Sequence, residues 1–87
     1  MNTISKLYLQ AGRSSTSAKT LATLTKAACE KIRTRVAENS STPAHLLQLL
    51  STDECADVRI AVACNSATPA NVLWTLASDH NADVRLS

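Results

Sequence analysis

The chain has 87 residues, which is enough for one domain but close to the lower limit at which a single apolar core suffices. Its net charge of +2 is compatible with a polyanionic partner without requiring one, and its apolar fraction of 45 % argues against bulk disorder. No run approaches the roughly 18 apolar residues of a membrane span, and residues 1–10 lack the apolar stretch of a signal peptide, so we expect a cytoplasmic protein.

The first predicted element is residues 1–31, a weak copy of a 26-residue unit that recurs twice afterwards. Eight of 26 aligned positions match the unit that follows, residues 32–57. Terminal repeats are often atypical because one of their faces has no neighbouring repeat. We therefore predict an N-terminal capping repeat, with Ile4 and Leu7 turned onto the next unit.

The next two elements are near-identical copies of the unit, residues 32–57 and 58–83. Thirteen of their 26 positions are identical, and the unit begins again in residues 84–87. Self-similarity at a fixed period of this length is typical of stacked repeats, in which each unit buries its apolar face against the next. The period predicts one all-α domain, a solenoid of short helical repeats with a truncated fourth repeat.

Each unit contains a clear helical pattern in its second half. The steps Thr42-Pro43 and Thr68-Pro69 predict Thr as the N-cap and Pro as the first helical residue. Apolar residues follow at i, i+1 and i+4: Leu46, Leu47 and Leu50 in one copy, Val72, Leu73 and Leu76 in the other. This spacing is typical of one buried helix face. We expect helices of about ten residues that end near Ser51 and Ser78.

The first half of each unit predicts a shorter helical segment. In the last full copy, Asp57 can cap the segment, Val58 and Val62 lie four residues apart, and Asn65 ends it. Asn39 holds the same position one unit earlier, and asparagine tolerates the left-handed conformation that is common at helix ends. A length of roughly eight residues leaves open whether the segment is α-helical or 3₁₀-helical.

The motif shared by these units resembles one known repeat family. From Asp53 to Leu76 the sequence fits the pattern D-x-x-x-D-[VI]-R-x-x-V-A-x-N-S-x-T-P-A-x-[LV]-L-x-x-L, which resumes at Asp79. The pattern is similar to that of the leucine-rich repeat variant (LRV) family. The resemblance implies a right-handed superhelix of alternating α- and 3₁₀-helices and a bacterial origin, but no agreed activity. The iron–sulfur cluster of a known member is not expected, because no cysteine cluster precedes the repeats.

The cysteines form neither a metal-binding nor a disulfide pattern. Cys29 and Cys55 hold the same position in successive units, and helices packed about 8–10 Å apart exceed the separation of about 7 Å that a disulfide tolerates. We expect both to be small buried apolar residues. We expect no metal and no other cofactor, and no catalytic motif is legible, so the chain is predicted not to be an enzyme.

Three arginines recur at the period of the repeat: Arg33, Arg59 and Arg85. One interpretation is a basic stripe that contacts a nucleic-acid backbone. On that interpretation Arg33, Arg35, Arg59 and Lys31 would make the contacts.

The other interpretation pairs each of these arginines with a recurring acid of the unit. The candidates are Asp53 and Asp79, or Asp57 and Asp83, because a carboxylate matches the fork of a guanidinium group. We favour this interpretation, since the acids recur at the same period as the arginines. The recurring asparagines are likewise expected to stabilise turns.

Trp74 is the most informative candidate for binding. It lies off the apolar face of its helix, in the position that Gln48 and Ala22 hold in other copies, so the repeat does not need an apolar group there. Tryptophan is a frequent interface anchor, although it could instead cover the end of the stack. We predict a non-enzymatic protein–protein interaction module that uses Trp74, Gln48, His45 and Asn71. We expect the partner to be a protein, and a second copy of the chain docked on the C-terminal repeat is one option. The alternative function of the chain is that of a nucleic-acid-binding repeat protein.

Overall fold

The computed structural model describes residues 3–85 and is all-helical, as expected. The helices are α1 Thr3–Gly12, α2 Ala18–Leu24, α3 Glu30–Glu38, α4 Ala44–Leu50, α5 Ala56–Cys64, α6 Ala70–Leu76 and α7 Ala82–Arg85. No β-strand occurs within this range. None of the helices in the same range is both long enough and apolar enough to cross a bilayer.

The helices pack in the order of the chain. α3 lies between α1 and α5, and α5 in turn contacts α7. The shorter helices join this series from the side: α2 contacts α1 and α3, α4 contacts α3 and α5, and α6 contacts α5. The resulting body is elongated, with principal extents of 38 × 19 × 16 Å.

One continuous aliphatic core lies between the helices. Its most deeply buried large side chains are Leu21, Ile32, Val36, Leu47, Leu50, Val58, Val62 and Val84. Fully burying an aliphatic side chain of this size stabilises the fold by about 1.5–3 kcal/mol. Small residues at the contact between α1 and α3, Ala11 and Ala37, are also fully buried and allow a close approach of the two helices.

The second helix of each unit begins one residue later than the Thr-Pro steps predict. Pro43 and Pro69 hold the N-cap position in extended backbone, with ψ of 151° and 150°. Thr42 lies before the cap and donates its hydroxyl to the Val36 carbonyl oxygen at 2.7 Å, and Thr68 makes the equivalent bond at 2.6 Å. The prediction of Thr as N-cap was wrong because this hydroxyl closes the turn onto the preceding helix. The helices are also seven residues long, not ten, although they end close to the predicted positions.

The first helix of each full unit is α-helical, which resolves the choice that the sequence left open. α3 and α5 span nine residues each, with Cys29 and Cys55 at their N-caps. Asp57 lies inside the first turn of α5, so its prediction as the cap was wrong. Asn39 and Asn65 follow the two helices with φ of −73° and −79° in extended backbone, so the left-handed conformation predicted for them was wrong as well. The 3₁₀-helices implied by the LRV resemblance are not seen between residues 3 and 85.

The N-terminal repeat differs from the prediction at Ile4. Leu7 packs against the core as expected, whereas Ile4 is 57 % exposed. Leu7 and the fully buried Ala11 are four residues apart, so the buried face of α1 is centred on this pair and leaves Ile4 at its edge. Ser17 caps α2, because its hydroxyl oxygen accepts the N–H of Thr20 at 3.2 Å.

Candidate interaction surface

The four residues predicted to bind a partner lie on the solvent-facing sides of α4 and α6. His45 and Gln48 are exposed on α4, and Asn71 and Trp74 are exposed on α6. Residues three apart share one face of a helix, so each helix presents its pair along one strip. The two pairs hold equivalent positions in consecutive units, 26 residues apart.

Trp74 is the most exposed large apolar residue of the described chain, at 83 %. The apolar residues of the same helix that enter the core, Val72 and Leu76, are 3 % exposed each. A side chain this exposed shields almost no apolar surface, so Trp74 does not cover the end of the stack formed by residues 3–85. The indole therefore adds an exposed apolar group that the packing of these residues does not require.

An exposed leucine on α4 was not among the residues predicted to bind a partner. Leu49 is 52 % exposed and borders a groove of 460 Å³ between α2 and α4, which Ala22 also lines. The sequence did contain a signal, because the positions equivalent to Leu49 in the other units hold Thr23 and Thr75. Threonine in two of three units shows that this position does not require a large apolar side chain.

Arg33 forms a largely buried ion pair within its own unit. Its Nε donates to Asp53 Oδ2 at 2.8 Å and its Nη2 to Asp53 Oδ1 at 3.3 Å, while Nη1 donates to the carbonyl oxygens of Ala27 and Ala28 at 2.7 and 3.1 Å. The side chains of Arg33 and Asp53 are 11 % and 10 % exposed. The guanidinium group therefore ties the start of α3 to the loops before α3 and after α4.

The same arrangement recurs one unit later. Arg59 donates through Nε to Asp79 Oδ2 at 2.9 Å and through Nη2 to Asp79 Oδ1 at 3.3 Å. Its Nη1 donates to the carbonyl oxygens of Asp53 and Glu54 at 2.8 and 3.3 Å. Pairing of the periodic arginines with periodic acids is thus confirmed for Arg33 and Arg59, and the acids used are Asp53 and Asp79 instead of Asp57 and Asp83.

The pKa shifts of Arg33 and Asp79 both favour the charged form of the group. The hydrogen bond with Asp53 raises the pKa of Arg33 above its usual value, against the opposing effect of desolvation. The pKa of Asp79 is lowered first by the backbone N–H of Asn81, which donates to Oδ1 at 2.8 Å, and then by Arg59. The guanidinium groups of Arg33 and Arg59 are thus occupied by hydrogen bonds within the chain itself.

The remaining residues of the proposed basic stripe are separate from these pairs. Arg35 packs its guanidinium over the ring of Tyr8, 4.9 Å from the ring centroid, and lies 3.7 Å from Glu38 Oε1. Its Nε atom is buried and has no hydrogen-bond partner among residues 3–85. Lys31 is exposed. Of the four residues predicted to contact nucleic acid, only Lys31 has an exposed side chain, because the arginines are partly or fully buried in internal contacts.

The recurring asparagines join successive units. The Asn39 side-chain amide donates to the carbonyl oxygens of Ala11 and Arg13 at 2.9 and 2.8 Å, and its Oδ1 accepts the N–H of Ser41 at 2.9 Å. Asn65 repeats this pattern toward the preceding unit. The expected turn-stabilising role is confirmed, and the link to the preceding unit is an additional role that the sequence did not indicate.

The three cysteines are free thiols. Cys29 and Cys55 are partly buried and pack against the core, in keeping with the expected apolar role, and Cys64 is exposed. In the described part of the chain no group of three or more His, Cys, Asp or Glu side chains is placed to hold a metal ion.

Comparison with known proteins assigns neither a family nor a function to the chain. No protein-family model matches the chain. No curated protein and no solved structure gives a significant match either.

Proposed function

We propose that the chain is a non-enzymatic protein–protein interaction module, built as a right-handed α-solenoid of LRV-like repeats. The solenoid is supported by contacts that recur at the 26-residue period. Arg33 pairs with Asp53 as Arg59 pairs with Asp79, and the Asn39 amide reaches the preceding unit as the Asn65 amide does. Stacked repeats of this kind offer an extended surface for a macromolecular partner.

The exposure of Trp74 is the observation that carries this proposal. A tryptophan that is 83 % exposed keeps a large apolar area in water, which is costly unless a partner covers it. Asn71 lies one turn before Trp74 on α6, and His45 and Gln48 hold the equivalent exposed positions on α4. An apolar anchor accompanied by exposed polar groups is the composition of an interface with a central hot spot and a polar rim. A second copy of the chain is one candidate for the partner.

Nucleic-acid binding, the alternative, has less support. A phosphate contact requires a cation that is free to meet it, whereas Arg33 and Arg59 already form short ion pairs within the chain. Arg35 is held over Tyr8. An LRV-like protein would be bacterial, and we propose a cytoplasmic location because three free thiols fit a reducing compartment.

The test compares the wild-type chain with Trp74→Ala. Multi-angle light scattering measures self-association over a range of concentrations, and affinity capture from a lysate of the source organism, quantified by mass spectrometry, measures other partners. We expect Trp74→Ala to weaken the principal interaction at least about tenfold, as the loss of a tryptophan anchor does. The matched control is Leu9→Ala, which removes an apolar side chain that is 42 % exposed on α1. Interactions that Trp74→Ala and Leu9→Ala affect equally would contradict the proposal.

A further inference from the structure

The groove between α2 and α4 lies on a side of these helices that the stacking of units does not use. α2 packs against α1 and α3, and α4 packs against α3 and α5, through leucines such as Leu21 and Leu47 that are fully buried. The groove has a volume of 460 Å³ and is bordered by exposed residues of both helices. It is therefore a surface between two consecutive second helices whose inner faces are already covered.

The floor of this groove is apolar. Leu46 is 4 % exposed, Ala22 is partly buried and Leu49 is 52 % exposed, and all three line the groove. Leu49 has threonine counterparts in the other units, so the repeat itself does not require leucine at this position. Three apolar side chains around one groove give a partner an apolar contact in addition to Trp74.

Two lysines flank the apolar floor. Lys19 and Lys26 are exposed and seven residues apart, with Ala22 and Thr23 between them at i+3 and i+4. Residues at these spacings share one side of a helix, and two helical turns separate the lysines by about 10 Å along the axis. Neither lysine takes part in an ion pair between residues 3 and 85, and no acidic residue of that range lines the groove.

The carboxylates close to this side of the molecule border a separate cavity. Asp53 and Glu54 line that cavity together with Lys26. Asp53 is held by Arg33, and Glu54 forms no ion pair with Lys26 in the described part of the chain. Both ammonium groups are thus available to a partner, and the groove presents positive charge beside its apolar floor.

We infer that this groove docks an acidic amphipathic helix of a partner protein. The helix inserts aliphatic side chains between Ala22 and Leu49 and places carboxylates on Lys19 and Lys26. The inference rests on the proposed interaction function and names the chemistry of the partner that binds the outer side of the second helices, where Trp74 also lies. The layout of α2 sets the pattern of the partner: two acids seven residues apart, with aliphatic residues at i+3 and i+4 between them.

The apolar floor favours a polypeptide over a nucleic acid. A phosphate backbone could meet Lys19 and Lys26, because phosphate contacts need only a free cation. It would leave Leu49 in water, whereas an aliphatic side chain of a helix removes this leucine from water while its carboxylates meet the lysines. The combination of charge and apolar surface is therefore matched by one helix that carries both groups.

The probe is a synthetic peptide added to the full-length chain. It has about 18 residues, with Glu-Ala-Ala-Leu-Leu-Ala-Ala-Glu at the centre of an alanine- and glutamine-rich sequence, because shorter isolated helices are marginal in water. A fluorescein label reports binding as fluorescence anisotropy. One control peptide replaces both glutamates by glutamine, and a second replaces both leucines by alanine.

We expect saturable binding of the first peptide. The peptide without leucines should bind at least about tenfold more weakly, because it loses the apolar contact. The peptide without glutamates should bind about fivefold more weakly, since two exposed ion pairs are lost. The binding of the first peptide should also weaken as the salt concentration rises.

Variants of the chain locate the binding to the groove. Leu49→Thr introduces the residue that the other units hold and should weaken binding about fivefold, and Lys19→Gln and Lys26→Gln should each weaken it about threefold. Lys31→Gln removes the same charge from an exposed position on α3, and Leu9→Thr changes an exposed leucine on α1. Both control variants should leave the dissociation constant unchanged.

Four outcomes would overturn the inference. They are an absence of saturable binding up to about 1 mM peptide, equal losses in Lys19→Gln and Lys31→Gln, a dissociation constant that Leu49→Thr does not change, and binding of single-stranded oligothymidylate in place of the peptide. If the peptide does not bind but Trp74→Ala still weakens the principal interaction of the chain, the interaction function stands and the acidic helix does not. If the peptide binds as expected while Trp74→Ala changes no interaction, the groove is the binding site and the Trp74 anchor is wrong.

Discussion

A buried asparagine links each full unit to the one before it. Asn65 is 8 % exposed, and its amide donates to the carbonyl oxygens of Ala37 and Asn39 at 2.7 and 3.0 Å. Its Oδ1 accepts the N–H of Ala67 at 2.8 Å. One side chain therefore satisfies two carbonyl groups of the preceding unit and one amide of its own turn, and all three would lose this partner without it.

Replacement of this asparagine should be strongly destabilising. Asn65→Ala leaves buried polar groups without partners, and we expect a loss of about 2 kcal/mol in the free energy of unfolding. Asn65→Asp should cost more, because a carboxylate cannot donate and is repelled by the two carbonyl oxygens. Urea unfolding followed by circular dichroism measures both changes. Asn71→Ala is the control, since Asn71 is exposed and should change stability by less than about 0.5 kcal/mol; a similar small effect at Asn65 would contradict the bridging role.

Comparison of equivalent positions predicted the exposure of Trp74 but not that of Leu73. Leucine fills the position of Leu73 in all three units, and the prediction that Leu73 is buried was wrong, because it is 39 % exposed. The exposure of Trp74 followed from Gln48 in the same position, because a residue that can be glutamine in one unit does not belong to the core of another. The same comparison would have identified Leu49. Comparison of equivalent positions could not predict the contacts between units, such as the hydrogen bond from the Asn65 amide to the Ala37 carbonyl oxygen. These contacts depend on the relative placement of helices that are far apart in sequence.

At the scale of the helices, α1 and α3 meet around Gly12 and Arg35. A Cβ at Gly12 would lie 2.7 Å from Arg35 Cζ, which is closer than nonbonded carbon atoms can approach. The guanidinium is held there over Tyr8, so the last residue of α1 must be small for this packing to form. The contact is a helix–helix interaction of the N-terminal repeat that the repeat motif does not contain.

The effect of Gly12→Ala should therefore depend on Arg35. Alanine is favoured over glycine in a helix by roughly 0.5–1 kcal/mol, but in the wild-type chain this gain is offset because Arg35 must leave Tyr8. In an Arg35→Ala background the space is free, and the same substitution should stabilise the fold, by less than this amount because Gly12 is the last residue of α1. A double-mutant cycle measured by urea unfolding gives the coupling. Equal effects of Gly12→Ala in the two backgrounds would show that the contact does not constrain this position.

Helix type and helix order were predictable from the sequence, whereas helix starts were not. The i, i+1, i+4 spacing around Leu47 correctly indicated a buried helix face. The Thr-Pro step gave a start one residue early, because the Thr42 hydroxyl bonds to the preceding helix at Val36 instead of capping α4. Short-range motifs identify the groups that can form a cap, and the neighbouring helix decides which of them does so.

At the scale of the whole molecule, stability should be concentrated where a unit has neighbours on both sides. Leu47 lies in the middle full unit and is fully buried, whereas Leu73, its counterpart in the next unit, is 39 % exposed. The two side chains are chemically identical and occupy equivalent helix positions, but α4 contacts both α3 and α5 whereas α6 contacts α5. They form a matched pair that isolates the contribution of stacking.

We expect Leu47→Ala to lower the free energy of unfolding by about 3 kcal/mol, within the range for truncation of a fully buried leucine, and Leu73→Ala to lower it by less than about 1.5 kcal/mol. A chain of this length has a total stability of roughly 4–13 kcal/mol, so Leu47→Ala removes a substantial share of it. Urea unfolding followed by circular dichroism compares the midpoints of the two variants with that of the wild type. The Leu47→Ala variant should also unfold in one transition. Because α4 contacts both α3 and α5, weaker packing of α4 destabilises two consecutive units together. Equal losses at the two positions would mean that neighbouring units contribute little to the core, and the stacking of units would then not be the source of stability.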